Sequence, residues 1–217
     1  DFMHILYDYP SGSIELAKML GRYLVESSRR QSMGNANARL ILLFSLSEGI
    51  GGTTIGNLLA GRLASKTGKS TVYFEYPNQQ RVTADLQLPK NQEIYHHPSG
   101  YEILLQQGQS GANVPESART TLMLDNIMKD YENIIIDLPG VVDENVNTML
   151  DYAKQIIILT PPEQDSWNKV EELQNHIRKH IKPDDTSVFT VRSRYKPEHK
   201  DKHSSKAADF DIPYLEE

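Results

Sequence analysis

The chain has 217 residues, 38% of them hydrophobic and 24% charged, with a formal net charge of −6 and a pI near 5.7. These values fit one sizeable α/β domain with a short appendage, and the acidic balance argues against a broad nucleic-acid-binding surface. Cysteine is absent, which removes disulfides, thiolate metal sites and cysteine-ligated iron–sulfur clusters, and no apolar run approaches the ~20 residues of a membrane span.

The chain opens at Asp1 rather than Met, which leaves room for a natural start upstream, and no signal-peptide pattern is visible. Met3–Tyr7 reads as a short strand. Pro10 to Ser13 supply a turn with a candidate N-cap at Ser13, and Ile14, Ala17, Leu20 and Leu24 give residues 14–29 a helical spacing. The polar stretch 27–37, with Gly34, Asn35 and Asn37, reads as a linker. Residues 1–37 are therefore expected to be an N-terminal strand–helix segment and linker, and residues 38–217 the main domain.

The main domain starts with Leu40–Leu46, a continuous apolar run of strand length, the pattern of a strand buried on both faces. It enters the loop SEGIGGTT, Ser47 to Thr54, followed by a helix through Ile55, Leu58, Leu59 and Leu63 that Gly68 closes. Strands are expected at Thr71–Tyr76 and, after the turn His97–Gly100, at Tyr101–Leu105. A helix over 116–129 leads to the strand Asn133–Leu138. A helix over 143–152, the strand Gln155–Thr160 and a helix over 163–181 follow. That last helix carries Trp167, Val170, Leu173, Ile177 and Ile181 on one face. The final expected strand is Ser187–Val191. Strands alternating with helices imply a mostly parallel central sheet with helices on both faces.

A strand, a glycine-rich turn ending in Thr-Thr and a helix form the layout of a phosphate-binding loop. Glycines let backbone N–H groups converge on an anion, and the helix N-terminus adds a favourable dipole. In a working loop, a lysine just before the threonine reaches the β- and γ-phosphates while the threonine hydroxyl holds magnesium. Here Gly52 stands at the lysine position and Thr53 at the magnesium position, with Thr54 after it.

SEGIGGTT resembles a degenerate form of the deviant Walker A motif, KGGVGKTT, of the ParA/MinD P-loop ATPases. Gly49, Ile50, Gly51, Thr53 and Thr54 match that motif. Ser47 stands where the family has its signature lysine, Glu48 replaces a glycine and Gly52 replaces the second lysine. Tyr131–Gly140 resembles the family's Walker B strand, with Asp137 at the position that supports magnesium. The resemblance covers roughly residues 39–195. It implies a ParA/MinD-type P-loop fold with ATP and Mg2+ as ligands, held by Gly49, Ile50, Gly51, Gly52, Thr53, Thr54 and Asp137, and with the metal at Thr53 and Asp137.

Two further departures concern catalysis. After the second strand the family has Asp-x-Asp, and here Glu75, Tyr76 and Pro77 stand there, so a proline replaces the carboxylate that orients water. Near the last strand, Ser193 and Arg194 are the counterparts of the family's Asn-Arg pair, and a serine is too short for a bidentate contact with adenine. Each missing lysine removes a charge-assisted bond worth roughly 1.5–3 kcal/mol and about 3–4 kcal/mol of transition-state stabilisation. The expectation is weak ATP binding, little hydrolysis and no catalytic residue.

The lysine-free loop and HHPSGYEILLQ, residues 96–106, resemble the CpaE/TadZ branch, the ParA-like proteins of Tad (Flp-type) pilus assembly. In that branch a pseudo-receiver domain precedes the ATPase-like domain, and residues 1–37 resemble its tail. The resemblance implies a homodimeric localisation and assembly scaffold. It would be cytoplasmic, at a cell pole or the inner face of the membrane with peripheral contact only, and would have pilus or secretion assembly proteins as partners and no nucleic acid. The alternative is an active ATPase in partition or positioning.

Other residues have plainer readings. His176 and His180 lie at i, i+4 but beside Arg178 and Lys179, without a carboxylate ligand, and read as surface. Asp143 and Glu144 read as a helix cap. The basic positions Arg192, Arg194, Lys196, Lys200, Lys202 and Lys206 are diluted by Glu198 and Asp201 and read as a solvated loop.

Overall fold

The computed structural model describes residues 38–77, 93–105, 116–163, 165–195 and 208–213. The strand and helix expected within residues 1–37 lie outside the described residues.

Two runs of branched apolar residues make the centre of the fold. Strand β1 (Arg39–Ser45) and strand β5 (Asn133–Pro139) are buried along almost their whole length, as expected for strands covered on both faces. They pair in parallel, Leu40 opposite Ile134 and Leu43 opposite Asp137. Around them lie β2 (Thr71–Glu75), β3 (Ile94–His97), β4 (Tyr101–Leu104), β6 (Ala153–Thr160), β7 (Ser187–Tyr195) and β8 (Phe210–Pro213). The eight strands form one sheet in the order β3-β4-β2-β5-β1-β6-β7-β8. Every neighbouring pair is parallel except the hairpin β3–β4.

Among the described residues four helices accompany the sheet: α1 (Gly52–Thr67), α2 (Glu116–Asp130), α3 (Glu144–Leu150) and α4 (Asp165–His180). Strand alternation sends Leu40, Leu42 and Phe44 into a large core with Leu124, Met149, Val170 and Ile177 from α2, α3 and α4. The opposite face sends Ile41, Tyr73 and Ile135 against Ala60 and Ala64 of α1. Asp143 caps α3, its carboxylate accepting a 2.8 Å bond from the Val146 N–H, and Trp167 packs on the large core.

Helix α1 buries its smallest residues. Its buried side is the stripe Gly52, Gly56, Ala60 and Ala64, while Leu58 is 69% exposed. The stripe is needed because Tyr73 of β2 lies beneath it. A Cβ on Gly56 would run into the Tyr73 ring at Cε2 and stand 3.2 Å from Cδ2. A residue as large as leucine has no room on that stripe, so Leu59 and Leu63 pack at its flanks, partly buried, and Leu58 faces outward. Gly68 closes the helix at φ 65, its N–H bonding to the Ala64 carbonyl.

Two strands were not foreseen. Both β3 and β8 are four residues long, lie at the sheet's edges and carry weak patterns: IYHH has two histidines, and FDIP ends in proline. Strand β7 also runs to Tyr195, four residues past the expected end.

Candidate functional site

The residues expected to carry the chemistry meet at the carboxyl ends of β1, β2 and β5. Gly49 and Gly51 take left-handed φ values of 71 and 90, which side chains disfavour, and Gly51 is the N-cap of α1. Its carbonyl accepts the first helical bond, from Ile55 N–H at 2.8 Å. Ser47, Glu48 and Gly49 are exposed, whereas Ile50 is buried against Leu43, Leu159 and Val191. The loop is therefore a solvent-facing crest pinned by one apolar side chain. Its amides lie at the N-terminus of a 16-residue helix, where an anion is favoured.

Beneath the crest the strand register assembles a polar cluster. Glu75 lies opposite Asp137 in the β2–β5 pairing, and Tyr73 shares their face, two residues earlier. Thr53 reaches down from α1: its hydroxyl donates to Glu75 Oε1 at 2.9 Å, with Asp137 Oδ2 at 3.4 Å. Asp137 also accepts from Tyr73 OH at 3.2 Å and from Ser45 Oγ at 3.4 Å. Burial first, and then the negative charge of Asp137 and Glu75, raises the Tyr73 pKa far above its ordinary value. Tyr73 therefore stays protonated at neutral pH and remains a donor to Asp137.

Gly52 explains how the loop is closed where a lysine is expected. A Cβ there would collide with Ser45 Oγ and stand 3.2 Å from Ser45 Cβ and 3.3 Å from Asp137 Oδ1. The lysine is absent, and any side chain at this position would have to displace the Ser45 hydroxyl. No lysine or arginine occurs between Arg39 and Arg62, so the loop itself supplies no cation. Thr54 takes no part in the cluster; it is exposed on the outer side of α1.

The oxygens of Thr53, Glu75 and Asp137 are hard donors of the kind magnesium takes. Among the described residues no group of three or more His, Asp or Glu side chains forms a metal cage. A magnesium ion here would complete its shell with water and phosphate oxygens, as such sites generally do.

Ser193 was considered as a counterpart of an adenine-reading residue. It is buried instead, and its hydroxyl donates to the Ile50 carbonyl at 2.8 Å, tying β7 to the loop. Arg192 is held by Asp211 of β8 through bonds of 2.8 and 2.9 Å, so the first residue of the basic stretch is committed inside the fold. His176 bonds Asn147 at 2.7 Å and stacks on His180 with ring centroids 4.3 Å apart; no carboxylate joins them as a metal ligand. The sequence reading left Ser45, Tyr73 and Glu75 out of the site. The period-two alternation along β1 and β2, referred to Asp137, is the signal that places them there.

No family model matches the chain, and no curated protein is similar to it in sequence. Solved structures are similar. A plasmid partition protein from Borrelia burgdorferi bound to AMPPNP superposes with a TM-score of 0.63 at 14% identity, over 82% of this chain and 86% of that one. A ParA family ATPase from Chlorobium tepidum gives 0.59 at 17% identity, over 82% and 85%. The MinD cell division protein of Aquifex aeolicus gives 0.56 at 17%, over 74% and 71%. The fold is that of the ParA/MinD P-loop ATPases.

Proposed function

We propose that this protein is a ParA/MinD-like localisation and assembly scaffold of the CpaE/TadZ kind. It dimerises, binds ATP–Mg2+ weakly and hydrolyses it little or not at all. The observation that carries this reading is the packing at Gly52. The loop keeps its backbone crest and the Thr53 hydroxyl, yet a lysine stem would have to displace the Ser45 hydroxyl. Glu48 adds a negative charge on the exposed crest, where a triphosphate would be repelled. The remaining groups, Gly49 to Thr54 with Asp137 and Glu75, support a magnesium-bridged anion held by main-chain amides. Partners in pilus or secretion assembly, a polar or membrane-face location and peripheral membrane contact follow from the branch resemblance, and the 1–37 segment is proposed as the tail of a preceding domain.

The competing reading is an active ATPase in partition or positioning, and the retained Thr53 and Asp137 favour it. Calorimetric titration with ATP and magnesium, run beside a steady-state turnover assay, separates the two. The scaffold reading expects weak, magnesium-dependent binding and no turnover above background. Thr53→Val should reduce the affinity to the level measured in EDTA. Robust hydrolysis by the unmodified protein would defeat the scaffold reading. Because a lone Gly52→Lys change meets Ser45, the variant that tests restoration is Ser45→Gly with Gly52→Lys, expected to tighten ATP binding about ten- to a hundred-fold.

A further inference from the structure

A cleft of about 560 Å³ runs along the outer side of α1, between that helix and the β3–β4 turn. Its size is that of a small-molecule site, and its lining is mostly apolar with a few polar groups, the usual make-up of such sites. Gly61 lets the hairpin lie close to the helix: a Cβ there would stand 3.3 Å from Ser99 Cβ and 3.5 Å from Tyr101 Cε1.

The wall is rigid. Tyr101 OH donates to Asn57 Oδ1 at 2.7 Å, and Asn57 Nδ2 donates to the Thr53 carbonyl at 2.8 Å. The His97 ring stacks on Tyr101 with centroids 4.4 Å apart at 25°, and its Nδ1 accepts from the Ser99 N–H at 3.1 Å. Burial lowers the His97 pKa, so the ring is neutral at pH 7. The cleft thus offers a flat ring, the exposed leucine Leu58 and, as the one formally charged lining residue among the described residues, Arg62.

We infer that this cleft binds a planar aromatic anion, its ring against His97 and Leu58 and its acidic group at Arg62. Thr53 and Thr54 line the end of the cleft that adjoins the glycine crest, while the proposed contacts at His97, Leu58 and Arg62 do not require the loop to take ATP.

The test uses 2-naphthoate and its neutral isostere 2-naphthamide, titrated into the whole protein by ligand-observed NMR. Naphthoate should bind about three- to five-fold more tightly than naphthamide, the range of a solvent-exposed ion pair, and shift the His97 ring protons. Arg62→Gln should bring naphthoate down to the naphthamide level, and Leu58→Glu should weaken naphthoate more than naphthamide. Both residues are exposed, so either variant serves if the other misfolds. Equal affinity for the two probes would overturn the inference, as would indifference to Arg62→Gln. Displacement of naphthoate by inorganic phosphate would place the probe at the glycine crest instead. Conversion of a dimer to a monomer by Leu58→Glu without any naphthoate binding would show that a second copy covers this face, and would equally overturn it.

Discussion

Beneath the loop, hydroxyl groups rather than cations face the buried carboxylates. Thr53, Tyr73 and Ser45 direct three O–H groups at the Asp137–Glu75 pair, and Ser193 holds the crest from below. Ser193→Ala should cost about 1 kcal/mol in urea unfolding, the net worth of one hydrogen bond, and loosen the loop without disturbing the core. The tyrosines predict an alkaline limb. Burial raises the pKa of Tyr73 and of Tyr131, which donates to Glu102, and pushes Tyr101 up to about 12. The folded state therefore holds these protons more tightly than the unfolded chain, whose tyrosines ionise near pH 10. The stabilisation is complete below about pH 10 and is lost as pH rises through the folded values, toward about 12 for Tyr101. Absorbance at 295 nm should show these three of the eleven tyrosines ionising only with unfolding, and Tyr73→Phe should flatten the alkaline loss of stability.

The same comparison at the level of elements shows what could be read from the sequence. Strands β1, β5 and β6 were legible because branched apolar runs of strand length, ended by Ser-Glu-Gly, Pro-Gly or Pro-Pro, admit few other readings. The α4 face with Val170, Leu173 and Ile177 was legible through its period. Helix α1 was placed correctly, but its leucines do not reveal that the fully buried stripe is Gly52, Gly56, Ala60 and Ala64. Here Tyr73, on a different element, claims that side and leaves room only for glycine and alanine. The site was half legible for a related reason: the loop residues are contiguous in sequence, whereas Ser45, Tyr73 and Glu75 join Asp137 only through strand register. Gly56→Ala tests the packing directly. Its Cβ meets the Tyr73 ring, so overpacking should outweigh the better helix propensity of alanine and cost about 1–3 kcal/mol. Chemical denaturation should show a lower midpoint at unchanged slope, and a combined Tyr73→Leu change, which removes the ring from under the helix, should reduce the added cost of the alanine.

The whole molecule unites a fold shared with plasmid partition proteins and a charge that does not suit DNA. Nonspecific DNA binding draws on cations set against phosphates and decays steeply with salt. This chain carries 23 Lys and Arg against 29 Asp and Glu, so its average field repels a polyanion. The basic stretch beginning at Arg192 is a local exception in the sequence, and its first residue is bound to Asp211. A shared architecture need not bring a shared ligand, because the sheet and the loop crest are set by the core whereas surface charge is set separately. Filter binding of duplex DNA is expected to show weak retention at low ionic strength at most, and none at about 0.15 M salt, where the Debye length is ~8 Å. Retention at that salt, falling with a slope of several phosphates on a log–log plot, would move the protein from assembly scaffold to the partition reading.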